Sequence, residues 1–455
     1  MDNEMRQMCP SGKKETVALL PWGNVFEDFL DPIGVSIEAF CNEMDGGWLF
    51  GYVEALRHVG VRSVIIIFSG RVASPTRLTH APTGATVCIL PAPKVYRAFQ
   101  RFVIAPLERA MTNAPMNVPS KGHHLCGLIL KIAEKIAPYL STPIGLLARE
   151  LRREQCDALL CQEYEYPRFD LCVLLSSLMR LPVFATFQGG VSERSLLGRF
   201  VRSLILRVSN GLIIAAQSEA LRVRRCYHLP TTKLVQIFNP LDTGAWNHID
   251  QRAARATLNI PNDAQVVVWH GRISINHKGL DVLLDAWERI CQERPNRKLR
   301  LLLVGTGQDT ETFHRLLCSK QLSGIEWVNE YIHDRSALQR YLSVGDVYAF
   351  ASRYEGFPVA PIEAMACGLA VVATDVQGIK DIFEDGEASG GVVVAREDAD
   401  GLASALGRVL DDAAWCDELG RHARKRVESA FSLKAVGHQL RAFLLDNQRI
   451  GRKYG

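Results

Sequence analysis

The sequence predicts an α/β protein built from doubly wound parallel sheets, and three observations carry that prediction. Short apolar runs such as Val64–Phe68, Val266–Trp269 and Leu299–Val304 alternate with amphipathic helical segments along most of the chain. Apart from Arg300, these runs are apolar throughout rather than alternating, as strands buried on both faces require. The chain has 455 residues, enough for two or three domains that each bury their own core.

Composition narrows the function. Hydrophobic residues make up 47% and charged residues 22% of the chain, with a formal charge of +4. That mild surplus does not mark a nucleic-acid binder, and no nucleic-acid partner is expected. The 12 cysteines include no CxxC pair and no Cys/His set at zinc spacing. Cys88, Cys161 and Cys172 sit in apolar runs and read as buried thiols of a reducing compartment. Met1 to Lys14 is polar and lacks a signal-peptide core, and no run reaches the length of a membrane span. A soluble cytoplasmic protein is expected.

In order, Thr16–Leu20 reads as the first strand and Trp22–Asp45 as a long connection. Gly46-Gly47 opens an amphipathic helix through His58, and Val64–Phe68 is the next strand, completing a βαβ unit. Glycines at such a helix start permit close approach to an anion, though they also mark ordinary turns. Thr86–Leu90 is a further strand. Residues 91–140 are helix-rich, with Lys94, Arg97, Arg101 and Arg109 interleaved among Val95, Tyr96, Phe99, Phe102, Val103, Ile104 and Leu107. This is either a surface for anionic lipid or a solvated helix with an apolar core face. Ala114–His124 reads as a loop, and His123 and His124 have no partner at metal spacing.

Asp157–Cys161 is a strand that opens into Gln162-Glu163-Tyr164-Glu165-Tyr166-Pro167, a polar aromatic loop suited to a sugar-like acceptor or to a plain surface turn. Val183–Phe187 is a strand ending at Gln188-Gly189-Gly190. Arg194–Arg225 holds seven arginines and one glutamate, with Leu197, Phe200, Val201, Leu204, Ile205 and Val208 at helical spacing. It reads as a helix near a membrane or a phosphate-bearing acceptor, or as one packed on the sheet with its arginines in water. Leu212–Ala216 and Val235–Phe238 close the first half.

The boundary falls after the turn Asn239-Pro240-Leu241-Asp242, giving domains 1–240 and 241–433. The second half starts with the strand Val266–Trp269, then the loop His270–Gly279 carrying Arg272 and Lys278, then a helix. Leu299–Val304 ends in Gly305-Thr306-Gly307, an incomplete dinucleotide fingerprint because Thr310 stands where the third glycine belongs. Ile325–Val328, Asp346–Phe350, Val371–Thr374 and Gly391–Val394 supply further strands. Asp398-Ala399-Asp400 reads as a helix cap rather than a metal-binding pair, and no metal is assigned.

One stretch organises the whole. After the strand Asp346–Phe350 comes the loop Glu355-Gly356-Phe357-Pro358, a helix from Ala360 to Cys367, a glycine stop at Gly368 and the next strand. Glu355 lies beyond the carboxyl end of a strand, the edge where ligands sit in open α/β sheets. Glu363, in the early helix, can face the same crevice. Two carboxylates beside backbone N–H donors suit a ligand with hydroxyls and phosphate.

These residues resemble a known family. Arg272, Lys278-Gly279 and the Glu355-to-Glu363 spacing with Gly356-Phe357-Pro358 look like the signature of retaining GT-B glycosyltransferases of the glycogen-synthase and mannosyltransferase type, the group 1 glycosyltransferases. The likeness covers 210–435 clearly and 1–209 thinly. It implies two Rossmann-like doubly wound domains facing a central cleft: an acceptor-binding domain and a nucleotide-sugar-binding one, with the last helix, 434–448, crossing back to the first. It implies that Arg272 and Lys278 hold the donor diphosphate, with Glu355 as the third catalytic residue. Glu355 and the backbone of Gly356, Phe357 and Pro358 would hold the sugar hydroxyls. Glu363 would hold the ribose. Gly46 and Gly47 would approach the phosphate, and the base would lie near Thr306 and Val328 to Ile332.

The resemblance further implies transfer from a nucleotide-diphosphate sugar to a hydroxyl acceptor, which is a polysaccharide, a lipid-linked sugar or a small molecule, with neither cofactor nor metal. Retention would proceed on one face, the leaving phosphate taking the acceptor's proton. One departure stands out: Gln188 occupies a position where many relatives have His, so acid–base work there is excluded while sugar contact stays open, with Glu163 and Tyr164 as neighbouring acceptor contacts. The basic helices of the first domain suggest peripheral contact with the inner membrane face. Two rivals remain: a GT-B-shaped binding protein without turnover, disfavoured because all four charged residues are present, and a nucleotide-dependent oxidoreductase, disfavoured by the incomplete fingerprint at Gly305.

Overall fold

The computed structural model describes residues 14–31, 35–44, 47–112, 121–189, 196–247, 249–332 and 334–446. Two compact units emerge. The first gathers Met1–Ile213, Val223–Val235 and Gly437–Gly455; the second gathers Ile214–Arg222 and Gln236–Val436.

The first unit holds an eight-stranded sheet in the order β3-β4-β2-β1-β5-β6-β7-β8. Its strands are β1 Thr16–Leu20, β2 Arg62–Ser69, β3 Thr76–Thr79, β4 Thr86–Pro91, β5 Ala158–Cys161, β6 Val183–Phe187, β7 Gly211–Ile214 and β8 Leu234–Val235. β3 runs antiparallel to β4 at the sheet edge. β1 pairs with β2 on one side and β5 on the other, both parallel, which makes their carboxyl ends a topological switch point.

The second unit holds a six-stranded sheet in the order β11-β10-β9-β12-β13-β14. These are β9 Gln265–His270, β10 Leu299–Val304, β11 Ile325–Val328, β12 Val347–Phe350, β13 Ala370–Thr374 and β14 Gly391–Val394. All its pairings are parallel. Successive residues of one strand enter opposite cores: Val266 and Val268 pack on one face of the sheet, Val267 and Trp269 on the other. A sheet covered on both faces accounts for the unbroken apolar runs in the sequence. Here the switch point lies between β9 and β12.

Some local expectations change and others hold. The long connection after β1 holds a helix, Ile37–Asn42, capped where Ser36 Oγ accepts from the Ala39 N–H. Helix starts at Lys121, so Lys121–His124 is not loop; Ala114–Ser120 lies outside the described residues. The last helix, Leu433–Arg441, runs into a wider turn, Ala442–Asp446, and from Gly437 onward the chain clusters with the first unit. Asp398 caps a helix by accepting from the Gly401 N–H at 2.8 Å. No helix among the described residues is long and apolar enough to cross a membrane.

Candidate active site

The second unit's switch point gathers the charged residues that the sequence singled out. β9 ends at His270, and its loop carries Arg272 before the short helix Ile275–Lys278. Three ties fix this loop. Ile273 N–H donates to the Thr306 carbonyl at 3.0 Å. Ile275 N–H donates to Asp309 Oδ2 at 2.9 Å. Arg353 clamps the helix from the β12 side, donating to the Asn276 carbonyl at 3.0 Å and to both Asp281 oxygens at 2.8 Å. Burial would raise Asp281, but the Arg353 guanidinium outweighs it and holds the carboxyl below its usual range.

Two glycines make the loops fit. Gly279 ends the short helix at φ +60°, and a Cβ there would strike the Ala351 carbonyl at the end of β12. Gly305, at φ +139°, lies so close to Gly271 that a Cβ would collide with its carbonyl. Only glycine combines that backbone with that approach. Both bring the β9 loop against its neighbours.

The consequence is direct contact across the switch point. Lys278 Nζ donates to Glu355 Oε1 at 2.6 Å, and Ser352 Oγ donates to the same oxygen at 2.8 Å. Ser352 is anchored in turn, since Thr374 Oγ1 donates to its carbonyl at 2.6 Å. Glu363 meets His270: Nε2 and Oε2 stand 2.9 Å apart. His270 is buried, its Nδ1 has no hydrogen-bond partner, and its carbonyl accepts from the Tyr348 hydroxyl at 3.2 Å. Arg272 is exposed and makes no ion pair among the described residues. Lys278, Glu355 and Glu363 are half-buried. His277, beside Lys278, is held below the ordinary histidine range by burial; Glu355 pulls it up, while Lys278 and Arg272 press it down.

Other expected residues fall differently. Phe357 stacks on Phe238 at 5.4 Å and lies near Phe431, so its ring packs on the core and only its backbone is free for a ligand. Val328 and Ile332 also pack against that core. Thr306 shares a hydrogen bond with Thr310 at 3.2 Å. Gly356 and Pro358 hold the loop between Glu355 and the helix Ala360–Ala366.

In the first unit, Gly47 begins the helix Gly47–His58 at φ +62° and is exposed, whereas Gly46 lies outside the described residues. A cavity of about 500 Å³ opens at that unit's own switch point, lined by Trp22, Gln162, Glu163, Glu165, Tyr166 and Gln188, among others. Glu163 Oε1 accepts from the Gln188 N–H at 2.7 Å, with Glu163 at φ +63°. Tyr164 requires correction as an acceptor contact. Its ring is fully buried between Phe187 and Tyr227, because the turn at Glu163 sends the next side chain into the core. Trp22 and Tyr166, with rings 5.6 Å apart, take its place at the cavity.

Sequence reasoning missed His270, Ser352 and Arg353, and it held Trp22 and Tyr166 only within longer segments. His270 carried a usable signal: it is the last residue of a strand whose loop was already under suspicion. Among the described residues, Cys88, Glu150 and Glu154 lie close enough to share a metal ion, but Arg77 bonds both carboxylates and Arg62 bonds Glu154, so cations already fill the cluster.

Two parallel-sheet units with these switch-point loops define a GT-B fold. Residues 264–412 match the family described as "Glycosyl transferases group 1". It is 29% identical over 228 residues to a D-inositol 3-phosphate glycosyltransferase of Catenulispora acidiphila, covering 48% of this chain and 52% of that protein. It is 28% identical over 241 residues to a glycogen synthase of Mycobacterium tuberculosis, covering 52% and 54% respectively. The chain thus spans about half the length of these relatives. The solved Anabaena HepE structure in complex with UDP matches 96% of this chain and all of that one, at 13% identity and a TM-score of 0.66.

Proposed function

We propose that the protein moves a sugar from a nucleotide-diphosphate donor to a hydroxyl acceptor, with retention and without a metal ion. The observation that carries this reading is the Lys278–Glu355 contact at the β9/β12 switch point, beside the exposed Arg272. Lys278 has the Glu355 carboxylate for its partner. A diphosphate offers Lys278 more negative charge than Glu355 does, and it gives Arg272 a bidentate partner. Glu355, so released, accepts hydrogen bonds from the sugar hydroxyls. Glu363 keeps one oxygen on His270 and has the other for the ribose hydroxyls.

As the bond from the sugar C1 to the donor phosphate oxygen breaks, its electron pair passes to that oxygen. Arg272 and Lys278 stabilise the charge as it grows. The acceptor oxygen bonds to C1 from the same face, and its proton passes to the departing phosphate. No enzyme carboxylate need act as nucleophile, unlike the paired carboxylates of retaining hydrolases. The acceptor side is the Trp22–Tyr166 cavity, where aromatic faces and carboxylates suit a polyol, whether polysaccharide, lipid-linked or small. The free thiols of the described cysteines support a cytoplasmic setting.

The test is a thermal-shift screen of nucleotide sugars, followed by turnover assays with and without chelator. A stabilising donor that turns over at an unchanged rate with chelator supports the proposal. Loss of turnover with chelator removes the metal-free part. Binding without turnover on any acceptor identifies a nucleotide-sugar-binding protein instead.

A further inference from the structure

Three neighbouring helices of the first unit turn apolar side chains to solvent. On Lys121–Leu140, Leu125, Leu128, Ile129, Ile132 and Ile136 form one stripe at helical spacing, and all are exposed while Ala133 and Pro138 are buried. On Leu196–Val208 the exposed stripe is Phe200, Val201, Leu204 and Val208. Pro167–Met179 packs against both and exposes Leu174 and Leu178, the latter at 85%.

An apolar stripe ordinarily faces the core. Here the core side holds polar bonds as well as buried Phe169, Val173 and Leu206. Arg202 is buried, pairs with Asp170, and donates to the Glu165 carbonyl at 3.1 Å. The Tyr139 hydroxyl donates to the other Asp170 oxygen at 2.6 Å. This chain of bonds links the three helices from beneath. Rolling the Leu196–Val208 stripe inward would tear Arg202 from its partners and strand buried charge. The outward stripes are therefore built in.

Cations rim them. Lys131, Lys135 and Arg207 are exposed on the outer two helices. The adjoining segment from Lys94 exposes Arg97 and Arg101, with Val95 and a 69% exposed Phe102 among them. Arg101 lies over the Phe102 ring at 5.3 Å. An anionic bilayer fits both features, since aliphatic side chains enter the acyl boundary while lysine and arginine meet the phosphate layer. A second copy would set like charges against each other. We propose that this helical face docks on an anionic lipid surface. The proposal stands apart from the sugar-transfer reading.

Flotation of the full chain with vesicles tests it, using phosphatidylcholine alone and phosphatidylcholine mixed with phosphatidylglycerol. The chain should float with the mixed vesicles and weaken in high salt. Lys131→Ala and Lys135→Ala should each lower the partition about fivefold. Ile129→Gln combined with Ile132→Gln should lower it more than about tenfold. Both isoleucines are exposed, so circular dichroism should show an intact fold and the thermal response to nucleotide sugars should persist. Three results would overturn the proposal: no flotation with anionic vesicles at low salt, equal flotation of wild type and the double variant, or a dimer that the double variant dissociates while vesicles go unbound.

Discussion

Lys278 donates to Glu355 Oε1, so each reads out the other. Lys278→Ala should lower kcat about 10²–10³-fold, the usual loss when one charge-stabilising group is removed. Wild-type turnover in that variant would end the diphosphate assignment. His277 offers a probe that needs no turnover. Burial lowers its pKa in the folded chain, so the unfolded chain binds the extra proton first as pH falls. Its contribution is therefore a loss of stability that begins near the unfolded histidine value of about 6.5 and grows until the folded pKa is passed. His277→Gln should flatten that part of the stability–pH curve. A bound nucleoside diphosphate adds negative charge near the ring and should move the His277 pKa upward in an NMR titration. No upward movement at saturation would place the phosphate elsewhere.

At the scale of elements, the loops at the switch point depend on backbone that side chains cannot adopt. Gly279→Ala should be destabilised by more than about 1 kcal/mol in urea unfolding, because it meets both a left-handed backbone and the Ala351 carbonyl. The variant should also lose its thermal response to nucleotide sugars, since Lys278 moves with the loop. Much of this architecture was legible. β9, β10, β12 and β13 are mostly apolar, with Arg300 the one charge inside β10, and their loops carry the glycines and charges that betray a ligand edge. What escaped depended on partners outside the segment itself. β3, Thr-Arg-Leu-Thr, has no apolar run and becomes a strand only by pairing with β4. The Leu196–Val208 helix was legible as a helix but not in its rotation. Periodicity left two readings open, a helix near a membrane or phosphate-bearing acceptor and one packed on the sheet with its arginines in water, and neither placed Arg202 inside, where it pairs with Asp170. His270 escaped for the same reason: Glu363, its partner, belongs to another strand's helix.

For the molecule as a whole, two units with separate cores allow local stability to be tested one unit at a time. The segment after Gly437 is informative because it comes last in sequence yet packs within the first unit. Phe443 lies 5.2 Å from the Phe184 ring of β6 and fills the space that the missing side chain of Gly211 leaves at the start of β7. Leu440, Leu444 and Leu445 are buried with it, and Arg441 reaches Glu15 at 3.2 Å. Phe443→Ala removes a buried ring from beneath two neighbouring strands, a change that costs about 3 kcal/mol or more. Hydrogen exchange should register that loss in β6 and β7 while β9 to β13 keep their protection. Nucleotide-sugar binding, read by protection of the β9 and β12 loops, should survive. Equal loss of protection in both sheets would mean that the two cores unfold as one cooperative body. The donor site could then no longer be treated as a property of the second unit alone.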